Sequence, residues 1–222
     1  MGTTSARASE GTAEGPLSRM PMTALGRTSK RAVDVVSASI ALLLCCPLVV
    51  VLGLIVKLQD GGPILYRRRV VGRTGDFDAL KLRSMRVDAD EMLERDPELR
   101  QEFERNFKLQ DDPRVTWFGR FLRRTSLDEL PQLWNVLQGD MSLVGPRMIT
   151  PAELGKYGDA AWIFNCMKPG LTGYWQVHAR QEVSYERRVE MDLFYVEHWS
   201  PALDLAILLK TPLRVLRGAG AY

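Results

Sequence analysis

Residues 123–132 read Arg123-Arg124-Thr125-Ser126-Leu127-Asp128-Glu129-Leu130-Pro131-Gln132, so that two adjacent carboxylates closely follow two arginines. Ser126 and Glu129 have the spacing of a capping box, which predicts a helix that begins at Ser126. Pro131 indicates a second arrangement, in which the helix begins at the proline and the carboxylates lie on the preceding turn. In either arrangement the carboxylates lie among exposed backbone N–H groups, which attract phosphate and favour ionised acids.

Adjacent acids of this kind have two interpretations. Two neighbouring carboxylates can hold a hard cation such as Mg²⁺, or one can attack a substrate while the other holds the metal. The alternative is a helix cap with its own surface ion pair and no chemical role. The ten residues alone leave both interpretations open.

The composition of the chain is that of a globular protein. Of its 222 residues 45% are hydrophobic and 26% charged, enough for one domain with a core and appendages. The net charge is only +3, but basic residues cluster at 67–73 and 114–124, which suits phosphate or anionic lipid. No recognised nucleic-acid-binding motif accompanies them, so nucleic acid is not an expected partner. The three cysteines give no disulfide framework and indicate a reducing compartment.

The first 58 residues divide into a tail and an apolar segment. Residues 1–29 are rich in Gly, Ser, Thr, Ala and Pro without an apolar period, which predicts a disordered basic tail. Residues 35–56 carry no charge, and a straight helix of that length, about 33 Å, could cross a bilayer core of about 30 Å. However, Pro47 would break or kink the helix, and basic residues flank both of its ends, which favours the cytoplasmic side for both. We therefore predict a re-entrant helix–break–helix over residues 30–58, with an ordinary span kinked at Pro47 as the alternative.

Residues 59–222 are predicted to form the folded domain. Residues 64–66 and 77–82 have the pattern of short strands around a glycine-containing loop, which predicts a small β-hairpin. Ser200 and Pro201 are the expected N-cap and first residue of a last helix. The apolar face and basic residues of that helix suit an interfacial amphipathic helix, with core packing as the alternative. The predicted fold class is α-rich α+β, in a monotopic membrane protein.

Two further loops present arginines. Residues 145–147 are Gly-Pro-Arg after a strand-like run, and residues 169–173 form a tight turn shortly before Arg180. A guanidinium at the exit of a tight turn can bind phosphate in a bidentate manner. A lone arginine of this kind is usually a surface residue, but two of them together with the acidic pair predict a phosphate-binding site.

Four motifs, taken in order, resemble the bacterial sugar transferases. The resemblance is to the monotopic polyprenyl-phosphate phosphoglycosyl transferases that initiate exopolysaccharide synthesis, and it covers about residues 30–222. Within that family it is nearest to the small members that transfer galactosyl or glucosyl phosphate to polyprenyl phosphate. Its motifs are Lys81-Leu82-Arg83-Ser84-Met85, Arg124-Thr125-Ser126-Leu127-Asp128-Glu129-Leu130-Pro131-Gln132-Leu133, Asn135-Val136-Leu137-Gln138-Gly139-Asp140-Met141-Ser142-Leu143-Val144-Gly145-Pro146-Arg147, and Pro169-Gly170-Leu171-Thr172-Gly173 with Gln176 and Arg180.

The resemblance implies a reaction and a set of site residues. A UDP-sugar, either UDP-galactose or UDP-glucose, would give its sugar-1-phosphate to undecaprenyl phosphate and release UMP. Asp128 is then the catalytic nucleophile that forms a covalent aspartyl-phosphosugar, and Glu129 is its partner at a Mg²⁺ ion held by both carboxylates. The implied substrate-binding residues are Lys81, Arg83, Arg123, Arg147 and Arg180.

The resemblance also implies a location and partners. The catalytic domain, residues 59–222, would lie on the cytoplasmic face of the bacterial inner membrane, in contact with anionic lipids. Downstream glycosyltransferases and a second copy of the chain are further candidate partners. A non-catalytic membrane-surface scaffold for polysaccharide assembly is the alternative from another class, and a metal-dependent pyrophosphohydrolase is the rival enzyme.

The chain departs from the family pattern at three positions. Met148 follows Gly-Pro-Arg where the family usually has proline, Lys168 replaces the usual arginine before Pro-Gly, and Cys46 replaces the usual serine before Pro47. These differences concern which sugar is transferred and the details of the predicted helix break at Pro47, not the reaction class.

Overall fold

The computed structural model of the chain describes residues 22–106, 109, 111–179 and 183–216. Helices dominate, as predicted, and the strands form two small two-stranded sheets within this part of the chain. The helices are α1 (Ala24–Asp60), α2 (Ala89–Arg95), α3 (Pro97–Asn106), α4 (Trp117–Thr125), α5 (Gln132–Gln138), α6 (Ile163–Cys166), α7 (Tyr174–His178), α8 (Tyr185–Glu197) and α9 (Pro201–Leu216). The strands are β1 (Leu65–Val70), β2 (Phe77–Leu82), β3 (Ser142–Val144) and β4 (Gly170–Thr172), and 3₁₀ segments cover Leu127–Glu129 and Pro151–Trp162.

The predicted β-hairpin is confirmed. Strands β1 and β2 pair antiparallel, with Leu65 opposite Leu82 and Val70 opposite Phe77. The side chain of Asn135 on α5 binds the middle of β2: its Oδ1 accepts from the Leu80 N–H at 2.9 Å, and its Nδ2 donates to the Asp78 carbonyl at 2.9 Å. The hairpin is therefore held in a fixed position relative to α5.

Helix α1 differs from the sequence-based prediction at its start. Thr23 caps it by accepting a hydrogen bond from the Gly26 N–H at 3.1 Å, so residues 24–29 are helical rather than part of a tail. A side-chain oxygen at the N-cap satisfies an otherwise unpaired donor of the first turn, which explains why the helix starts there. Residues 1–21 of the predicted tail lie outside the described residues.

Helix α1 is also continuous through Pro47, which corrects the predicted division into two helices. Proline removes one backbone donor and its ring opposes the carbonyl four residues earlier, so the helix is weakened at that point. Packing supports it on both sides, because Ala38 before the proline and Leu52 and Val56 after it are buried against the rest of the chain. The re-entrant arrangement of residues 30–58 in a membrane stays a prediction.

Both ends of α1 are fixed to the same folded domain. Near its start, the Asp34 carboxylate accepts hydrogen bonds from Ser142 Oγ at 2.8 Å and from the Leu143 N–H at 3.0 Å. At its end, Asp60 forms an ion pair with the buried guanidinium of Arg83. The domain therefore holds the long helix near both of its ends.

The core has two parts. The larger part joins α1, α5, β3, α8 and α9 around fully buried side chains such as Val136, Met141, Tyr195 and Ile207. The smaller part joins the second half of α1 to β2 and α4 through five buried residues: Leu52, Val56, Leu82, Phe118 and Leu122. The two parts lie on either side of the segment that carries Asp128 and Glu129.

A large apolar surface stays exposed. Within the described residues α1 has the length and hydropathy of a membrane-spanning helix, and most of that apolar stretch is exposed. On α9 the buried Ile207 packs in the core, while the opposite face is apolar and exposed. The helix therefore has both the core contact and the exposed apolar face that the sequence left as alternatives. Exposed apolar patches of this extent mark membrane or protein contacts. The exposed side chains include Val36, Ile40, Leu43, Leu44, Val51 and Leu54 on α1, Trp117 and Phe121 on α4, Trp134 on α5, and Leu205, Leu209 and Leu213 on α9.

Candidate active site

The two adjacent carboxylates lie on a tight turn between α4 and α5. Ser126 has φ of 55° and donates its N–H to the Arg123 carbonyl, which ends α4. A 3₁₀ turn, Leu127–Glu129, follows, and α5 begins at Gln132 after Pro131. The capping box expected at Ser126 is wrong, because its left-handed backbone makes it a C-cap and its side chain caps nothing. The second arrangement, with the acids on the turn before the proline, is confirmed.

Asp128 is buried, with 6% of its surface exposed. Burial raises the pKa of this carboxyl to about 6; Lys81 and Arg123 oppose the shift, and the neighbouring Glu129 adds to it. In the described part of the chain no side chain donates a hydrogen bond to the Asp128 carboxylate. The carboxylate is therefore desolvated and receives no hydrogen bond from a described side chain, as suits a nucleophile.

Glu129 forms an ion pair with Lys81 of β2, with Oε1 and Nζ 2.6 Å apart. The two side chains are 27% and 16% exposed, so the pair is partly buried. Burial by itself would raise the pKa of Glu129, but the charge and hydrogen bond of Lys81 outweigh it and lower the pKa. The hairpin thus delivers a cation to Glu129, while Asp128 has no ion-pair partner among the residues that the structure describes.

A small cavity opens beside this pair. It is lined by three cations, one acid and neutral groups, which are Arg68, Lys81, Arg147, Glu129, Met148, Gly170, Leu171 and Gln176. Arg68 also contacts Glu153, with 3.3 Å between Nη2 and Oε2. The surplus of positive charge suits a phosphate group bound next to Asp128 and Glu129.

Arg147 reaches this cavity from the Gly-Pro-Arg turn. Its guanidinium carbon lies 4.8 Å from the centre of the Trp175 ring, and its backbone N–H donates to Asp192 Oδ2 at 3.1 Å. Gly145 is needed at this turn, because a Cβ there would lie 2.5 Å from the Lys168 carbonyl oxygen. The close approach of the two backbones fixes the direction in which Arg147 leaves the turn.

A second arginine, which the sequence analysis did not identify, contacts the same tryptophan. The guanidinium carbon of Arg188 on α8 also lies 4.8 Å from the Trp175 ring centre. Burial and the charge of Arg147 lower the pKa of Arg188. The charges of α8 resemble those of any solvated helix face, so the sequence carries no signal that separates Arg188 from them.

Unpaired buried polar atoms gather on this side of the site. Asp192 is fully buried, which raises its pKa to about 6, and it accepts a hydrogen bond from the Tyr157 hydroxyl at 2.8 Å. A bound ligand is the usual reason for several unsatisfied groups in one place. Buried polar atoms without a hydrogen-bond partner in the described structure include Arg147 Nε, Trp175 Nε1, Gln176 Oε1, Tyr185 Oη, Arg188 Nε and Asp192 Oδ1.

The remaining predicted site residues differ in their contacts. Arg123 is close enough to Asp128 for their charges to interact, and its Nε donates to Ser84 Oγ at 2.9 Å. Arg83 is buried and donates to Asp60 and to the carbonyls of Pro63, Met85 and Val56. Those contacts use its donors to anchor the end of α1, so the structure gives no support for its predicted role in substrate binding. Arg180 lies outside the described residues.

The donor set fits a magnesium ion. Mg²⁺ is commonly held by one or two carboxylates together with substrate phosphates and water, rather than by a cage of protein ligands. Asp128 and Glu129 are adjacent, and the described residues contain no third acid, histidine or cysteine grouped with them. The available ligands are the carboxylate oxygens of Asp128 and Oε2 of Glu129, since Oε1 of Glu129 is paired with Lys81.

Comparison with known proteins gives a consistent set of relatives. The family described as bacterial sugar transferase matches residues 25–218. The undecaprenyl-phosphate galactose phosphotransferase of Salmonella typhimurium is 48% identical over 201 residues, which are 88% of this chain and 42% of that protein. The exopolysaccharide production protein ExoY of Rhizobium meliloti is 45% identical over 203 residues, 89% of this chain and 90% of the relative.

A further relative is the UDP-glucose:undecaprenyl-phosphate glucose-1-phosphate transferase of Escherichia coli. It is 39% identical over 216 residues, 93% of this chain and 44% of that protein. The chain thus spans less than half the length of several curated relatives that it matches, and nearly all of ExoY.

Proposed function

The chain belongs to the bacterial sugar transferase family, and we propose that it transfers a sugar-1-phosphate from a UDP-sugar to undecaprenyl phosphate with release of UMP. UDP-galactose and UDP-glucose are the proposed donors, and the product would begin an exopolysaccharide or another glycoconjugate. The observation that carries the proposal is the buried carboxylate of Asp128, which has no ion-pair partner among the described residues. It directly precedes Glu129, which lines a cavity together with Arg68, Lys81 and Arg147.

The proposed first step is attack by an Asp128 oxygen on the phosphorus that bears the sugar. The bond between this phosphorus and the bridging oxygen breaks, UMP leaves with the electron pair, and an aspartyl-phosphosugar remains. A carboxylate attacks a charged diphosphate poorly, so positive groups must offset the repulsion and stabilise the charge of the transferring group. Lys81 and Arg147, which line the cavity together with Arg68, would do so.

In the proposed second step, an oxygen of the lipid phosphate attacks the same phosphorus and the Asp128 carboxylate departs. Asp128 and Glu129 would hold Mg²⁺, which when bound supplies positive charge against the phosphates. Arg147 and Arg188, which both contact the Trp175 ring, would position the donor, since their positive charges lie close together and no described carboxylate is at ion-pair distance. The pairing of Glu129 with Lys81 leaves Asp128 as the group free to attack.

The reaction is tested by measuring UMP release and lipid-linked sugar with purified protein, Mg²⁺ and radiolabelled UDP-galactose or UDP-glucose, with and without undecaprenyl phosphate. Transfer to lipid with repeated UMP release only when lipid is present supports the proposal. A non-catalytic scaffold would release no UMP, and a pyrophosphohydrolase would release it repeatedly without lipid.

We also propose that the protein is monotopic, with both ends of α1 on the cytoplasmic side of the inner membrane. The bonds of Asp34 to β3 and of Asp60 to Arg83 support this, because they tie the two ends to one domain. A full crossing would have to break one of these two buried polar contacts. The exposed apolar side chains on α1, α4 and α9 would then contact lipid from one side.

The topology gives a labelling prediction. In a variant without Cys45, Cys46 and Cys166, single cysteines at Ser29 and Leu58 should both react with a membrane-impermeant reagent in inside-out vesicles, and neither in spheroplasts. Both positions are exposed in the structure, so access is decided by the membrane. Reaction of Ser29→Cys from the periplasmic side alone would show that α1 spans the bilayer.

The pKa of Asp128 gives a pH prediction. Because only the ionised carboxylate attacks, the rate of the first UMP release with donor alone, at Mg²⁺ concentrations too low to saturate the site, should fall about tenfold per pH unit below about 6 and level off above it. Rapid-quench measurement of that first turnover between pH 5 and 8 checks this. A rate that is constant over the whole range would contradict the assignment of a raised pKa to the attacking group.

A further inference from the structure

A second cavity lies at the tip of the β-hairpin, separate from the candidate active site. Its volume is about 180 Å³, and it is lined by Gly72, Arg73, Thr74, Gly75, Phe77, Gly139, Asp140 and Lys168. It shares no lining residue with the first cavity. Phe77 and Lys81 lie four residues apart on β2, about 13 Å at the usual rise of a strand, which separates the two places along the hairpin.

Three cations converge on this second cavity from different parts of the chain. Arg73 comes from the hairpin loop, Lys168 from the segment before β4, and Arg31 from α1. A Cβ atom placed on Gly139 would lie 3.4 Å from both Arg31 Nη2 and Lys168 Nζ, so these two cations border the same small space. In the described structure none of the three has a carboxylate within 4.0 Å.

The charge at this cavity is not balanced. Asp140 is the one acid among the lining residues, against the lining cations Arg73 and Lys168 and the bordering Arg31. The nearby carboxylate of Asp34 is already engaged by Ser142 and the Leu143 backbone. Burial, with the charges of Arg31 and Arg73, lowers the pKa of Lys168. An anion bound here would relieve the repulsion among the cations.

Arg31 is held in place independently of any ligand. Its guanidinium donates to the carbonyls of Val136 and Leu137 at the end of α5, at 2.5 and 2.7 Å. The positive charge is thus preorganised at the cavity rather than free to turn away. Arg73 and Lys168 make no side-chain hydrogen bond to any described residue, so their side chains can close on a ligand.

We propose that the cavity formed by Arg31, Arg73 and Lys168 binds a phosphate group other than the substrate phosphates at Asp128. Ligand pockets for whole small molecules usually measure about 300–1,000 Å³, so this smaller space suits a single phosphate rather than a nucleotide. Two sources share that chemistry, namely the headgroup of an anionic lipid and free phosphate.

The position of the cavity favours the lipid. Arg31 lies just before Val33 and Val36, which belong to the exposed apolar face of α1. A cation at the edge of an apolar face lies at the level of lipid headgroups when that face contacts a bilayer. The phosphate of an anionic lipid would then reach the cavity while its acyl chains remain beside α1.

The test measures how fast Lys168 is acetylated by an amine-reactive ester, followed by peptide mass spectrometry. The full-length protein is compared in dodecyl maltoside, in dodecyl maltoside with inorganic phosphate, and in vesicles of phosphatidylcholine with or without phosphatidylglycerol. No donor is needed, so the result is independent of the proposed transfer reaction. Lys57, exposed and outside the cavity, serves as the internal reference.

We expect acetylation of Lys168, relative to Lys57, to slow at least threefold with phosphatidylglycerol if a lipid is the source, and with inorganic phosphate if free phosphate is. The slowing should disappear in Arg73→Gln and persist in Arg69→Gln, which removes an exposed cation of the same hairpin outside the cavity. The proposal is overturned if neither phosphate nor phosphatidylglycerol slows the reaction beyond phosphatidylcholine alone, or if Arg73→Gln retains the slowing.

Discussion

Replacing Asp128 by asparagine should abolish formation of the aspartyl-phosphosugar at every Mg²⁺ concentration. The amide keeps the shape of the side chain but is a very poor nucleophile, and the loss of a covalent nucleophile commonly lowers the rate by several orders of magnitude. The measurement is donor-only labelling with a radiolabelled UDP-sugar over a Mg²⁺ titration. Asp159→Asn, which removes an exposed acid, should label like the wild type.

The same substitution should make the protein more stable. The pKa of Asp128 in the folded protein, about 6, is above its ordinary value of 3.8, so the folded state binds a proton more tightly than the unfolded state. The stability associated with this proton is complete below about pH 4 and is lost as the pH rises through about 6. Asparagine mimics the protonated form, so at pH 7.5 Asp128→Asn should raise the free energy of unfolding by about 1–3 kcal/mol.

This gain should shrink to a small fraction near pH 4, where the wild-type carboxyl is protonated in the folded state and about half protonated in the unfolded state. Melting curves of both proteins at pH 4 and 7.5 measure the difference, with about 2–4 °C expected for each kcal/mol in a chain of this size. An inactive variant that is more stable than the wild type would identify Asp128 as a functional group that the fold tolerates. A loss of stability at pH 7.5 would instead identify it as a structural residue.

Replacing Glu129 by glutamine should lower the rate of enzyme labelling about 100-fold at ordinary Mg²⁺ concentrations. A neutral amide oxygen is a weaker ligand for Mg²⁺ than a carboxylate oxygen, so excess Mg²⁺ or Mn²⁺ should restore part of the rate. The substitution also removes the partner of Lys81, whose Nζ lies 2.6 Å from Oε1. The Mg²⁺ titration of labelling, with Glu197→Gln as the matched exposed control, measures the effect.

The stability of Glu129→Gln should change in the opposite direction from that of Asp128→Asn. Lys81 is 16% exposed and would lose its charged partner, which should cost about 1–3 kcal/mol. If Glu129 had no chemical role, labelling would be close to that of the wild type while stability still fell. A rate that no metal concentration improves would remove the proposed ligand role but not the ion pair.

The sequence predicted the local elements well where local chemistry determines them. The hairpin over residues 64–82 and the Ser200 cap of the last helix both depend on turn residues and caps. The motif residues around Asp128 also indicated the site. Because Lys81 and Glu129 are far apart in the chain, the sequence alone could not show that they form an ion pair.

Other features depend on tertiary contacts and were missed for that reason. Arg83 belongs to a family motif, yet its donors are used by Asp60 and nearby carbonyls, which no local pattern reveals. Ser126 has capping-box spacing, but the turn from α4 places it in the left-handed region. Pro47 predicted a break, whereas packing on both sides of it keeps α1 continuous.

The central claim, a covalent intermediate on Asp128, is tested most directly by mass spectrometry of the protein after incubation with UDP-galactose or UDP-glucose and Mg²⁺ in the absence of lipid. We expect about one hexose phosphate per active molecule, on the peptide that contains Asp128, together with an equal amount of UMP. Subsequent addition of undecaprenyl phosphate should remove the label. UMP release that requires both substrates, with no adduct on Asp128, would contradict the account and indicate direct transfer from donor to lipid.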